Sequence, residues 1–250
     1  MSLFDTVDFN RRLFFPRRDA GPPPRGAVDS FVEVPGARLH LRVHGPAGSR
    51  VVVLLFHGNG EVVADYDEIA PLFAATGAAL AVVDYRGYGL STGEPTLRTV
   101  IEDAMLVVAA MGDRPLIVMG RSLGSAAAAA LYRAPSPTTI GFIWESGLVD
   151  LDALLARRGF GAEMRPSDEE RRDFDPVPKL RAGSLPLLVV HGEHDDLIAP
   201  SEGRAAFEAA GAAMREWVCV PNHGHNDLTS SPVYWQAIRA FVQERLGMHP

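Results

Sequence analysis

Leu116-Ile117-Val118-Met119-Gly120-Arg121-Ser122-Leu123-Gly124-Ser125-Ala126-Ala127-Ala128-Ala129-Ala130-Leu131 joins two hydrophobic patterns across one sharp turn. The opening run of branched and long apolar residues has the pattern of a buried strand, and the alanine run that follows has that of a helix. Between them stands Gly-x-Ser-x-Gly. A chain that folds from strand straight into helix has no room for side chains beside the turn, which accounts for Gly120 and Gly124. It also presents the serine at the strand's carboxyl end in a strained backbone. The first amides of the helix, Leu123 foremost, then point at any negative charge that develops next to the serine. Ser122 is therefore the candidate nucleophile, and it needs a base elsewhere in the chain to activate it.

The chain has 250 residues, 47% of them hydrophobic, which suits one large α/β domain with a sizeable core. Its net charge of −7 argues against nucleic acid or an anionic membrane as main partner. Apolar runs such as Val51 to Phe56 are too short to cross a bilayer, so no integral membrane span is expected. No basic stretch leads into a long apolar region near Met1; a secretory leader is not expected and the cytoplasm is the default compartment. The single cysteine, Cys219, cannot form an internal disulfide, and the apolar run Trp217-Val218-Cys219-Val220 reads as holding a buried core thiol. Nothing in the composition assigns an oligomeric state.

Outward from the turn, strands and helices alternate. Phe31 to Val34 and Leu39 to Val43 flank Pro35-Gly36-Ala37 as an antiparallel hairpin. Val51 to Phe56, Ala79 to Val83, Ile140 to Trp144, Leu185 to Val190 and Arg215 to Val220 supply further strands. Helices are expected at about Val62 to Thr76, Leu97 to Met111, Ser201 to Ala210 and Pro232 to Leu246. Such alternation indicates an α/β class, a mostly parallel sheet of about eight strands with helices on both faces. Residues 1–28 read as an irregular arm with an amphipathic piece (Leu3, Phe4, Val7, Phe9, Leu13, Phe14, Phe15) that packs on the domain's flank rather than on a membrane. Residues 147–184 are longer than one crossover helix needs; their charged run Asp168 to Asp173 reads as a solvated face.

A serine hydroxyl needs a base to take its proton, and the base needs a carboxylate to hold its ring. In open α/β sheets such groups gather at the carboxyl ends of strands. Two later strand ends qualify: His191-Gly192-Glu193-His194-Asp195-Asp196, and Asn222-His223-Gly224-His225-Asn226-Asp227. Together with His57-Gly58-Asn59-Gly60, the loop Asp84-Tyr85-Arg86-Gly87-Tyr88-Gly89-x-Ser91-x-Gly93-x-Pro95, the Gly120 to Ser125 turn, His191-Gly192-x-x-Asp195-x-x-Ile198-x-Pro200 and Gly224-His225-Asn226-Asp227, the chain resembles the α/β-hydrolase superfamily. Within it, the chain is similar to the small-lidded serine hydrolases that include protein depalmitoylases and their bacterial relatives.

That resemblance covers about residues 30–246 and implies an α/β-hydrolase fold; the domain is expected over residues 29–250, with the long crossover at about 147–184 as a lid insertion and residues 1–28 as an N-terminal arm. It places the nucleophile on Ser122, the acid on Asp195, the base on His225 and the oxyanion amides on Leu123 and Asn59, with Gly60 an alternative to Asn59. It implies a serine esterase or thioesterase that acts on a small-molecule or acylated substrate through an acyl-enzyme and needs no cofactor or metal. Asp196 and Glu145 are rival acids, and His223 is a rival base. Glu61 reads as a complement to a helix dipole, Asp84 with Arg86 as a loop-holding ion pair, and His57 as a structural residue under the oxyanion loop. Two other classes remain to be weighed: a catalytically inactive binding protein on the same fold, and a metal-dependent hydrolase suggested by His223-x-His225-x-Asp227. For the latter, the histidine that the His-x-His-x-Asp-His pattern requires is Leu228.

Overall fold

Strands form where apolar residues run unbroken, because helices on both faces of a parallel sheet leave no side of the strand in water. The computed structural model describes residues 2–19, 21–46, 48–161 and 164–248. In chain order the elements are α1 (Val7–Leu13), β1 (Ala27–Val34), β2 (Ala37–His44), β3 (Val52–Phe56), α2 (Ala70–Ala74), β4 (Ala79–Val83), α3 (Leu97–Ala110), β5 (Leu116–Arg121), α4 (Ser125–Arg133), β6 (Thr139–Glu145), α5 (Leu151–Arg157), α6 (Asp168–Phe174), α7 (Pro176–Ala182), β7 (Leu187–Gly192), α8 (Pro200–Ala209), β8 (Arg215–Val220) and α9 (Pro232–Met248).

One eight-stranded sheet runs in the order β1-β2-β4-β3-β5-β6-β7-β8. β1 pairs antiparallel with β2, β2 antiparallel with β4, and all other pairs are parallel. Side chains alternate between two core layers: Val52, Leu54 and Phe56 of β3 face one, Val53 and Leu55 the other. Each such side chain, once buried, contributes roughly 1.5–3 kcal/mol.

Register positions the site. Phe56 lies opposite Gly120, so the loop after β3 emerges beside Ser122. Arg121 lies opposite Glu145, which brings the end of β6 against the same turn. Gly192 lies opposite Val220, which sets the loops after β7 and β8 side by side.

Four local expectations are corrected. The helix expected from about Val62 to Thr76 is a 3-10 turn at Val63–Tyr66 followed by the short α2. Pro71, in the first turn of α2, has no N–H to extend a helix arriving from upstream. Cys219 is exposed rather than buried, because β8 is the last strand of the sheet. Burial and nearby Glu193 both raise its thiol pKa, so it is not an activated thiolate.

The arm is also more ordered than expected. It packs on the flank as anticipated, with Phe4, Phe9, Leu13 and Phe14 buried in the main core, but it contains helix α1. Asn10 fastens it: Nδ2 donates to the carbonyls of Phe4 and Thr6, and Oδ1 accepts from the Leu97 amide at the start of α3. The charged run at 168–173 is not wholly a solvated face either. Glu170 turns inward and accepts from Ser2 Oγ and the Leu3 amide, so α6 grips the arm's other end.

Candidate active site

Ser122 follows β5 with φ of 51°, the left-handed region that costs a non-glycine residue of order 1–3 kcal/mol. Its neighbours hold it there by close approach. A Cβ on Gly124 would lie 2.0 Å from the Phe56 carbonyl oxygen, and one on Gly120 would lie 2.6 Å from the Gly124 carbonyl oxygen. Only glycine lets β3, β5 and the turn meet at these distances.

Three strand ends contribute to one row of side chains. Ser122 Oγ lies 3.0 Å from His225 Nε2, and His225 Nδ1 lies 2.7 Å from Asp195 Oδ2. A carboxylate only accepts, so Nδ1 carries the proton and Nε2 is left to accept from the serine hydroxyl. Asp195 Oδ1 in turn accepts from the amides of Leu197 and Ile198 at 3.0 and 2.8 Å. Burial pushes the Asp195 carboxyl up, but donors from His191, His225 and Ile198 outweigh it and hold the group well below the usual carboxylate range.

The rivals lie elsewhere. Asp196 is exposed. Glu145 is committed to Arg121 and to the Tyr234 hydroxyl at 2.6 Å. His223 turns to the Pro221 carbonyl and Ser230 Oγ, away from Ser122. His191, at the end of β7, sits with Nε2 3.1 Å from Asp195 Oδ2 and 2.9 Å from the Ile198 carbonyl. Its single Nε2–H is shared between the Ile198 carbonyl and the carboxylate that holds His225.

Arg121, the residue between Gly120 and the serine, has a role that the sequence does not announce. Its buried guanidinium contacts Glu61 Oε1 at 2.9 Å, Glu145 Oε1 at 3.0 Å, the His225 carbonyl at 2.9 Å and Asn226 Oδ1 at 2.9 Å. Glu61 also accepts from the Gly58 amide at 2.7 Å and the Tyr66 hydroxyl at 2.6 Å. One cation therefore ties the loops after β3 and β8 to the end of β6. This corrects the helix-dipole role expected of Glu61. Burial raises the Glu61 carboxyl, but the Arg121 charge and the Tyr66 hydroxyl bring it below its ordinary value.

The loop after β3 is held from the other side by the arm. Asn59 Oδ1 accepts from the Phe15 amide and the Tyr88 hydroxyl at 3.0 and 2.7 Å, and Nδ2 donates to the Leu13 carbonyl. The Gly60 amide faces the Tyr88 hydroxyl. The Asn59 amide makes no backbone hydrogen bond among the described residues, and Leu123 lies in the first turn after the serine, where amides lack an intrahelical acceptor. His57 bonds the Gly58 carbonyl through Nδ1 at 2.8 Å, the structural role expected of it. The expected Asp84–Arg86 pair does not form. Arg86 binds Asp103 at 2.7 Å, and Asp84 is buried between His40 and His57.

Several of these carboxylates share a direction of shift. Asp29, Glu61, Asp84 and Asp195 all sit below their ordinary values despite burial, and Glu170 is lowered to about 2. Carboxylates that bind protons more weakly when folded stabilise the fold above the unfolded pKa of roughly 4 and lose that contribution as pH falls through the folded values. Urea unfolding midpoints are expected to hold level from about pH 7 to 5 and to drop steeply below about pH 4. Equal midpoints at pH 7 and pH 3 would contradict the ion-pair account.

The row opens into a cleft of about 330 Å³ lined by Ser122, His225, Asn59, Phe15, Leu148 and Leu154 among others. Residues 47–165 match the family model described as serine aminopeptidase, S33. The chain is 27% identical over 216 residues to protein bem46 of Schizosaccharomyces pombe, covering 82% of this chain and 71% of that one. It is 28% identical over 214 residues to alpha/beta hydrolase domain-containing protein 17B of Homo sapiens, covering 79% and 68%. The structure superposes on the Pyrococcus furiosus esterase Pf2001 with a TM-score of 0.72 at 18% identity, covering 93% of this chain and 98% of that one.

The chain has the α/β-hydrolase fold. As in that fold, Ser122, Asp195 and His225 follow one another in sequence yet meet at one sheet edge. The likenesses support a hydrolase. Among the described residues, no helix is long and apolar enough to cross a membrane.

Proposed function

We propose that the protein is a serine hydrolase that cleaves carboxylic esters or thioesters through an acyl-enzyme. The observation that carries this is the hydrogen-bonded row from Ser122 through His225 to Asp195 at 3.0 and 2.7 Å, beneath an open cleft. Ser122 Oγ attacks the acyl carbon as its proton passes to His225 Nε2. The amides of Leu123 and Asn59 donate to the oxyanion. Collapse of the tetrahedral intermediate expels the alcohol or thiol, which takes the proton from His225. Water then gives its proton to the same nitrogen, attacks the acyl carbon and releases the acid. Asp195 keeps Nδ1 protonated throughout and stabilises the transient imidazolium; His191 steadies the carboxylate.

An aminopeptidase, as the matching family is described, must hold a substrate ammonium with a free carboxylate. Among the described residues the only acid lining the cleft is Glu61, and Arg121, Tyr66 and Gly58 already occupy it. That favours esters over peptides.

A fluorophosphonate probe is expected to label the wild type at Ser122 and to leave Ser122→Ala unlabelled. Esters and thioesters of graded chain length then define the acyl preference. A protein that neither labels nor turns over any of them is a binding protein on this fold. Activity lost to a chelator and restored by zinc would instead indicate a metal enzyme.

A further inference from the structure

The cleft that holds Ser122 and His225 is also lined by two consecutive arginines at the end of α5, Arg157 and Arg158. Arg157 is spoken for: its Nη1 lies 3.0 Å from Glu202 Oε1. Arg158 has no carboxylate partner among the described residues. Its guanidinium lies over the Phe15 ring, 4.7 Å from the centroid, and is half-buried. Phe15 is in turn fixed to the site, because its amide donates to Asn59 Oδ1 and to the Tyr88 hydroxyl, each at 3.0 Å. The arm thus supplies a flat platform that holds this cation beside the proposed oxyanion loop.

A simple helix-capping role does not account for this placement. The backbone amide of Arg158 already caps α5 by donating to the carbonyls of Leu154, Leu155 and Ala156, while the guanidinium turns to the arm and the cleft. Burial is the main influence that lowers its pKa, and the charge of Arg157 adds to the effect. A partly dehydrated cation beside another cation gains by receiving an anion. The only acid in the described lining, Glu61, is already paired with Arg121.

We propose that the cleft selects substrates carrying one carboxylate away from the scissile bond, and that Arg158 receives it. This rests on the serine hydrolase reading above. A guanidinium presents two parallel N–H donors that match the two oxygens of a carboxylate. A phosphate monoester would call for a second free cation, and Arg157 is already committed to Glu202.

Two matched pairs of esters test the proposal from either side of the scissile bond. In the first, 4-nitrophenyl hemiadipate is compared with 4-nitrophenyl heptanoate; in the second, 4-carboxyphenyl butyrate is compared with phenyl butyrate. In at least one pair the wild type is expected to favour the charged member in kcat/KM by roughly tenfold or more, and Arg158→Gln to reduce the charged-to-neutral ratio by roughly ten- to a hundredfold, chiefly through KM. Arg158→Lys, which keeps the charge without the fork, is expected to recover part of that ratio. A ratio that is the same in wild type and Arg158→Gln for both pairs overturns the proposal. A wild type that cleaves none of the four and takes up no fluorophosphonate overturns the serine hydrolase reading itself. Labelling at Ser122 with no charge preference overturns only the role of Arg158.

Discussion

Ser122→Ala is expected to lower kcat for a short 4-nitrophenyl ester by roughly four to six orders of magnitude, with a residue of activity left to the oxyanion amides and binding. The size follows from the geometry. Removing Oγ takes away the hydroxyl that lies 3.0 Å from His225 Nε2, and among the described residues no other hydroxyl lies in the hydrogen-bonded row. The change deletes one atom from a position whose φ of 51° strains alanine as much as serine, so folding is expected to change little. The thermal midpoint should stay within a few degrees of wild type, a shift that corresponds to under about 1 kcal/mol. A variant that folds normally and retains a tenth or more of the wild-type rate would remove Ser122 from the chemistry.

The largest effect on stability is expected at Arg121. Arg121→Leu leaves Glu61 and Glu145 facing each other without the cation that lies 2.9 and 3.0 Å from them, and it also removes the donors to the His225 carbonyl and Asn226. Breaking a buried ion pair by deleting one partner costs about 3–5 kcal/mol, because the remaining charge stays desolvated. Chemical denaturation should show a loss of that order. Arg121→Lys keeps the charge but cannot span four acceptors, so an intermediate loss is expected. If Arg121→Leu fails to fold, adding Glu61→Gln and Glu145→Gln should recover part of the stability, since it discharges the stranded acids. A loss below about 1 kcal/mol for Arg121→Leu would mean that the cluster is solvated and does not hold the loops.

Much of the fold is legible in the sequence. β3, β4, β5 and β7 are unbroken apolar runs because both faces of a parallel sheet are covered, and that pattern survives in a short window of sequence. β8 shows where such reading stops. Trp217-Val218-Cys219-Val220 has the same composition, yet β8 is the sheet's edge and Cys219 faces solvent. Composition records what a strand is made of, not how many neighbours it has. Pro71 carries the missing signal in the sequence: its absent N–H marks the break between the 3-10 turn and α2.

The sequence alone determined the strand-turn-helix at Ser122, the order in which nucleophile, acid and base appear, and the glycines without which β3 and β5 could not close on the turn. These are local properties, set by φ, by Cβ volume and by hydrophobic period. Only the tertiary structure decided what Arg121, Glu61, Glu145, His191 and Phe15 do. Their partners are brought together by strand register, as with Arg121 opposite Glu145, or by an arm that crosses the molecule to reach Asn59. A charge states its need for a counter-ion in the sequence, but the choice of counter-ion belongs to the three-dimensional path of the chain.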